Sequence, residues 1–66
     1  MNNIGEKVRS ERLNKSIKQK ELAEMAGISN TYLSDIEVGR TTPSIKTLMK
    51  LAEALEVDCE VLLRNK

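Results

Sequence analysis

The spacing of small and apolar residues between positions 19 and 38 constrains the fold more than any other feature of this sequence. The segment reads QKELAEMAGISNTYLSDIEV, with Ala23, then Gly27 four residues later, then Leu33 and Ile36 on a second apolar stripe. A small residue at position 23 lets a second helix cross closely over the first. Glycine at position 27 can take the positive φ that ends one helix and turns into the next. The pattern predicts two short helices joined by a sharp turn.

Two helices of this kind cannot bury their apolar faces alone. A further helix must support them, and the second helix of the pair then keeps one side exposed. This geometry is typical of helix-turn-helix motifs, whose second helix enters the major groove of DNA. Residues 19–38 are therefore predicted to form a helix-turn-helix motif within a single domain that spans residues 1–66.

A first helix is predicted over residues 3–13. Ile4, Val8 and Leu13 recur there at roughly helical spacing, and all three side chains are expected to face inward. The first helix of the motif is predicted over residues 19–26. Its start is ambiguous, because Ser16 and the glutamine three residues later have the form of a capping box that favours an earlier start.

Three more helices complete the expected fold. Ser29 is a suitable N-cap for a helix over residues 30–38, and Ser44 is suitable for a fourth helix. The fourth helix has a stripe of apolar residues every three or four positions: Ile45, Leu48, Leu51, Ala52 and Leu55. Asp58 can cap a short fifth helix. Because no segment alternates like a strand, we expect an all-α fold, a compact bundle of five short helices.

The composition argues against several classes of protein. Cys59 is the single cysteine and the chain has no histidine, so an intramolecular disulfide and the usual zinc sites are excluded. No catalytic residue, cofactor or metal is expected, because there is no histidine base, no activated nucleophile and no glycine-rich phosphate loop. The short apolar stretches predict no contact with a membrane and a cytoplasmic location. From a length of 66 residues we expect one domain and no second, effector-sensing domain.

Basic residues are concentrated at the N-terminal end. The formal net charge is only +1, but residues 1–20 hold six basic and two acidic side chains. Residues 21–43 hold four acidic side chains and one basic side chain, and residues 44–66 hold four of each. Because binding to a polyanion depends on local potential, the N-terminal excess is compatible with nucleic acid. The alternative, that these charges only solvate helix surfaces, stays open.

Residues along nearly the whole chain match one known pattern in a single register. They are Ile4, Gly5, Val8, Arg9, Arg12, Gln19, Glu21, Leu22, Ala23, Ala26, Gly27, Ile28, Ser29, Leu33, Ser34, Ile36, Glu37, Gly39, Pro43, Ser44, Leu48, Leu51, Ala52, Ala54, Leu55, Leu62 and Leu63. At these positions the chain resembles the lambda repressor and Cro type of helix-turn-helix DNA-binding domain, the XRE family. The resemblance implies a sequence-specific transcriptional regulator whose partner is a double-stranded DNA operator.

Some positions depart from this family. Ser16 stands where the family commonly has glycine, and Lys18 stands where it commonly has a capping serine or threonine. The entry into the second helix is therefore expected to differ locally. Arg12 and Glu37 match a charge pair that in this family resembles a buried strut between the first helix and the recognition helix. The alternative is a loose surface pair that contributes almost nothing.

In this docking mode the N-terminal part of the recognition helix reads base edges. The outward residues there are predicted to contact bases: Asn30, Thr31, Ser34 and Asp35. By resemblance, Gln19 is expected to hold a phosphate at the start of its helix. Five further residues are placed where they can contact phosphates: Lys18, Ser29, Tyr32, Arg40 and Thr41. A structural role for Tyr32 is an equal alternative.

The resemblance also implies a homodimer on an inverted repeat, with half-sites about 34 Å apart. Four C-terminal residues are predicted to form its interface: Val57, Val61, Leu62 and Leu63. The alternative assigns all four to the core of one subunit. Bound at an operator, the protein would block RNA polymerase or contact it or another regulator. A different hypothesis is a protein-interaction module, similar to an antitoxin or anti-repressor, that acts mainly through its C-terminal helices.

Overall fold

Five helices account for most of residues 4–63, which are the part of the chain that the computed structural model describes. They are α1 (Ile4–Asn14), α2 (Gln19–Ala26), α3 (Asn30–Glu37), α4 (Ile45–Leu55) and α5 (Cys59–Leu63). The predicted all-α bundle is confirmed, and every predicted helix is present. The predicted start of the first helix at residue 3 lies outside the described residues. Over residues 4–63 no helix exceeds eleven residues, and none is long and apolar enough to cross a membrane.

The core forms where the apolar stripes of all five helices meet. α2 packs against α3 and α4, while α1 packs against α3 and α5. Among residues 4–63, the buried core cluster consists of eleven side chains: Val8, Leu22, Ala23, Ala26, Leu33, Ile36, Leu48, Leu51, Ala52, Leu55 and Leu62. Because α3 contributes only Leu33 and Ile36 to this list, with Tyr32 packed at its margin, its apolar side is narrow.

Two residues of the predicted apolar stripes lie outside the core. Leu13 is 52% exposed and Ile45 is 68% exposed. On α1 the helical step from Val8 leads to Arg12 rather than to Leu13, because positions four apart lie on the same face. On α4 the inward stripe begins at Leu48, one turn after the start of the helix.

Serine caps begin α3 and α4 as predicted. The Ser29 hydroxyl oxygen accepts from the backbone N–H of Tyr32 at 3.0 Å, and that of Ser44 accepts from the N–H of Thr47 at 3.1 Å. The earlier start of α2 that a capping box at Ser16 would give is wrong, because the helix begins at Gln19 with Lys18 as its N-cap. The helix instead receives a partial cap from a different residue, since the Glu21 carboxylate accepts from the N–H of Lys18 at 2.9 Å.

The first four helices all end in the same kind of turn. A residue one or two positions past the end of each helix takes a left-handed conformation: Ser16 (φ 56°), Gly27 (φ 72°), Gly39 (φ 85°) and Glu56 (φ 60°). The next N–H then bonds the carbonyl oxygen five residues back, at 2.9 to 3.1 Å. This is the Schellman motif, which satisfies carbonyls left over at a helix end. In three of the four turns the donor of that bond is an apolar residue packed on the core: Ile17, Ile28 or Val57.

Helices α1 and α3 touch at Gly5. A Cβ atom at this position would overlap the backbone carbonyl of Ile36. Only glycine lets the start of α1 lie directly against the C-terminal half of α3. The backbone of Glu37, the last residue of α3, also lies beside Gly5, and the Arg12 side chain reaches the Glu37 carboxylate from further along α1.

A buried ion pair joins α1 to the end of α3. Arg12 is 8% exposed and Glu37 is 5% exposed. The guanidinium donates twice to the carboxylate, from Nε to Oε2 at 2.8 Å and from Nη2 to Oε1 at 3.0 Å. Its Nη1 donates to the carbonyl oxygen of Ile17 at 2.9 Å, and Gln19 Nε2 donates to Glu37 Oε1 at 3.2 Å. The pair therefore ties together α1, the turn after it, α2 and α3.

We predict that Arg12→Met lowers the free energy of unfolding by about 3–5 kcal/mol, because it leaves the Glu37 carboxylate buried without its partner. Glu37→Met should have a similar effect. The double variant should lose less than the sum, since it strands no charge. Urea unfolding of the three variants measures these values. As a control, Arg40→Gln removes an exposed pair and should cost less than about 1 kcal/mol. A loss for Arg12→Met as small as that of the control would contradict the burial argument.

We predict that Ser16→Gly and Glu56→Gly each stabilise the protein by about 0.5–1 kcal/mol. Both positions have the positive φ that costs an L-residue energy and that glycine adopts without strain. Thermal unfolding checks the sign. Ser10→Gly, at an exposed position inside α1, is the matched control and should destabilise by about 0.5 kcal/mol. If Ser16→Gly lowered the melting temperature as Ser10→Gly does, the turn assignment would be wrong.

Candidate nucleic-acid interface

Helix α3 presents a polar side to solvent. Its opposite side is anchored by Leu33 and Ile36, which are 0% and 1% exposed. The side that we call the reading face consists of Asn30, Thr31, Ser34 and Asp35, of which the first two are exposed and the last two are half-buried. A helix with its side chains is about 10–12 Å across, which fits the roughly 12 Å width of the major groove. All four predicted base-contacting residues thus lie together on one accessible surface.

The start of α3 is held in place by the turn before it. Gly27 has a φ of 72°, as its position in the motif predicts, and a Cβ atom there would meet nothing within 4 Å. Glycine is thus needed for the backbone conformation and not for space. Ser29 then caps the helix, so that Asn30 becomes its first residue. The first turn of α3, with the positive end of its helix dipole, therefore faces outward.

Most of the predicted phosphate-contacting residues are accessible. Lys18, Ser29 and Thr41 are exposed. Gln19 is half-buried as the first residue of α2, where its amide nitrogen donates one hydrogen to Glu37 and keeps a second hydrogen for another acceptor. Tyr32 is half-buried and packs against the core, so its ring has a structural role in the fold.

Arg40 differs from the other phosphate candidates because its charged group is paired with a predicted base-contacting residue. Its Nη1 lies 3.5 Å from Oδ1 of Asp35, on the reading face. Sequence reasoning did not anticipate this pair. A signal was present, since opposite charges stand five residues apart on either side of Gly39, and the Schellman turn brings these two positions together.

The predicted dimer surface is only partly available. The assignment of Leu62 to this surface is wrong, because its side chain is 1% exposed and belongs to the core. Val57 and Val61 are half-buried, and Val57 packs against the core. Leu63 is 51% exposed.

Comparison with known proteins identifies relatives of this chain. A helix-turn-helix family model matches residues 8–62. The ImmF control region 10 kDa protein of Bacillus phage phi105 is 46% identical over 59 residues, which make up 89% of this chain and 66% of that protein. The transcriptional regulator SinR of Bacillus subtilis is 41% identical over 64 residues, or 96% of this chain and 58% of SinR. The chain thus spans less than two thirds of the length of either relative.

Solved structures agree with the sequence comparison. The c2 repressor of Salmonella phage P22, in complex with a synthetic operator, has a TM-score of 0.90 and 32% identity, with 100% of both chains covered. SinR in complex with DNA has a TM-score of 0.88 and 40% identity, covering 92% of this chain and 98% of that chain. The architecture, the family model and these relatives together show that the chain belongs to the XRE family of lambda repressor-like helix-turn-helix proteins.

Proposed function

We propose that this chain binds double-stranded DNA in a sequence-specific manner, with α3 in the major groove, and so regulates transcription. The observation that carries the proposal is the accessible polar side of α3, whose opposite side is fixed in the core. The DNA-bound structures of SinR and the P22 c2 repressor, which this fold matches, support this function. SinR is named as a transcriptional regulator and the P22 c2 protein as a repressor, so the protein-interaction alternative is not favoured.

The chemistry of the reading face suggests which bases its residues contact. The Asn30 amide can make paired hydrogen bonds to adenine, and Thr31 can offer its methyl group to thymine or its hydroxyl to either type of base. Ser34 has a hydroxyl that can donate and accept. Asp35 can only accept, which suits the amino group of cytosine. These four residues would determine the sequence that is bound.

Phosphate contacts would hold the duplex in register without reading its sequence. Gln19 and the first N–H groups of α2 form one contact point, since the N-terminus of a helix attracts anions. Lys18 adds a positive charge beside it. Ser29, Thr41 and the hydroxyl of Tyr32 are the remaining candidates. The Gln19 amide also donates to Glu37. A phosphate bound by Gln19 would therefore be linked through this amide to the buried pair of Arg12 and Glu37.

The dimer belongs to this proposal as well. A single small module makes few base contacts, and two subunits on an inverted repeat double them. The exposed Leu63 and the half-buried Val57 and Val61 are the proposed contact residues. Half-sites would then lie about 34 Å apart, one turn of the double helix.

We predict that selection of bound sequences from random duplexes recovers an inverted repeat. Asn30→Ala and Thr31→Ala should each relax the preference at particular positions, with losses of about 1–3 kcal/mol, because each removes a contact to a base edge. Sequencing of the selected pools gives the measurement. If both variants select the wild-type motif, the reading face does not contact the bases. If the motif lacks two-fold symmetry, the protein does not bind as a symmetric dimer.

Gln19→Ala is predicted to act differently. It should weaken binding to all sequences alike, because it removes a phosphate contact that carries no base information. Titration of selected and scrambled duplexes compares the two losses, and Lys20→Ala, an exposed neighbour on α2, is the control for a general charge effect. A change in sequence preference without general loss of affinity would disprove the phosphate role of Gln19.

A further inference from the structure

The ion pair between Asp35 and Arg40 lies at the edge of the reading face. Asp35 Oδ1 and Arg40 Nη1 are 3.5 Å apart, and the side chains are 35% and 79% exposed. The backbone fixes this proximity, because Gly39 has a φ of 85° and the N–H of Arg40 donates to the carbonyl of Asp35 at 2.9 Å. The chain therefore folds back under the end of α3 and carries the guanidinium to the carboxylate.

Arg40 changes the charge that the reading face presents to DNA. Asn30, Thr31 and Ser34 are neutral, so Asp35 alone would give this surface a negative charge against a polyanion. Glu37, the other carboxylate near this end of the helix, is buried and already paired with Arg12. With Arg40 beside it, the Asp35 carboxylate can approach the groove without a net charge on the surface.

The pair leaves one carboxylate oxygen for a base. Oδ1 of Asp35 faces Arg40, and Oδ2 has no partner among residues 4–63. A carboxylate oxygen accepts hydrogen bonds and cannot donate them. In the major groove, the amino group on N4 of cytosine is the donor that suits an aspartate.

We propose that Arg40 is a positioning residue for specificity. It holds the Asp35 carboxylate so that the carboxylate accepts a hydrogen bond from the N4 amino group of a cytosine at one position in each half-site. Arg40 then acts through Asp35 instead of binding a phosphate, which differs from the phosphate contact expected from the sequence. The inference rests on the proposed function, because it requires α3 to lie in the major groove.

The test is selection from random duplexes with the wild-type protein, Asp35→Asn, Arg40→Gln and the double variant. Lys18→Gln is the charge-matched control, since it also removes one exposed cation but lies on the other side of the motif. Binding of the selected duplex is then titrated at several salt concentrations. Thermal unfolding of each variant checks that the surface substitutions leave the fold intact.

We expect Asp35→Asn and Arg40→Gln to relax the same position by about tenfold, and the double variant to relax it no further. Arg40→Gln should leave the salt dependence of the affinity nearly unchanged, whereas Lys18→Gln should lower its slope by about one and keep the sequence preference. If Arg40→Gln behaves like Lys18→Gln, Arg40 is a phosphate contact and the inference is wrong. If Asp35→Asn leaves a clear wild-type motif unchanged, only this inference fails. If the wild-type protein selects no motif at all, the proposed function fails with it.

Discussion

The pairing of Arg12 with Glu37 is the interaction on which the presentation of α3 depends. A buried ion pair adds little net stability compared with apolar residues of the same volume, because desolvation of both charges offsets their attraction. Its effect here is geometric. The bidentate contact admits one orientation of the two side chains, and the bond from Gln19 fixes the carboxylate from a third direction. The end of α3 is thereby held in a defined place relative to α1 and α2.

The two ends of α3 are restrained by different means. At its start, the left-handed conformation of Gly27 and the Ser29 cap set the direction in which the helix leaves the turn. At its end, Glu37 is held from the core side, and the turn through Gly39 brings Arg40 back to the surface. Leu33 and Ile36 anchor the helix between these points. A short helix of eight residues is marginal in isolation, so these tertiary restraints are what keep its polar side in one position.

Sequence reasoning recovered the parts of the fold that depend on local patterns. The serine caps, the positive φ at Gly27 and the presence of all five helices follow from residue type and spacing. Leu13 and Ile45 lie outside the core, because periodicity alone does not say where an apolar stripe starts. Leu62, which was assigned to the dimer interface, is buried, because periodicity does not show how deeply the last helix packs. Periodicity alone does not place Arg12 inward, and its burial beside Glu37 was expected only from the family resemblance. The overlap that any side chain at Gly5 would cause, and the pair between Asp35 and Arg40, depend on chain segments meeting in space, which spacing on one helix cannot show.

Chemical protection of a selected duplex would test most directly whether α3 occupies the major groove. Dimethyl sulfate methylates guanine at N7, which faces the major groove, and adenine at N3, which faces the minor groove. The account predicts that the bound protein shields guanine N7 atoms in two patches about one helical turn apart and leaves adenine N3 reactive there. Shielding of adenine N3 with guanine N7 still reactive would place the protein in the minor groove and would contradict the account.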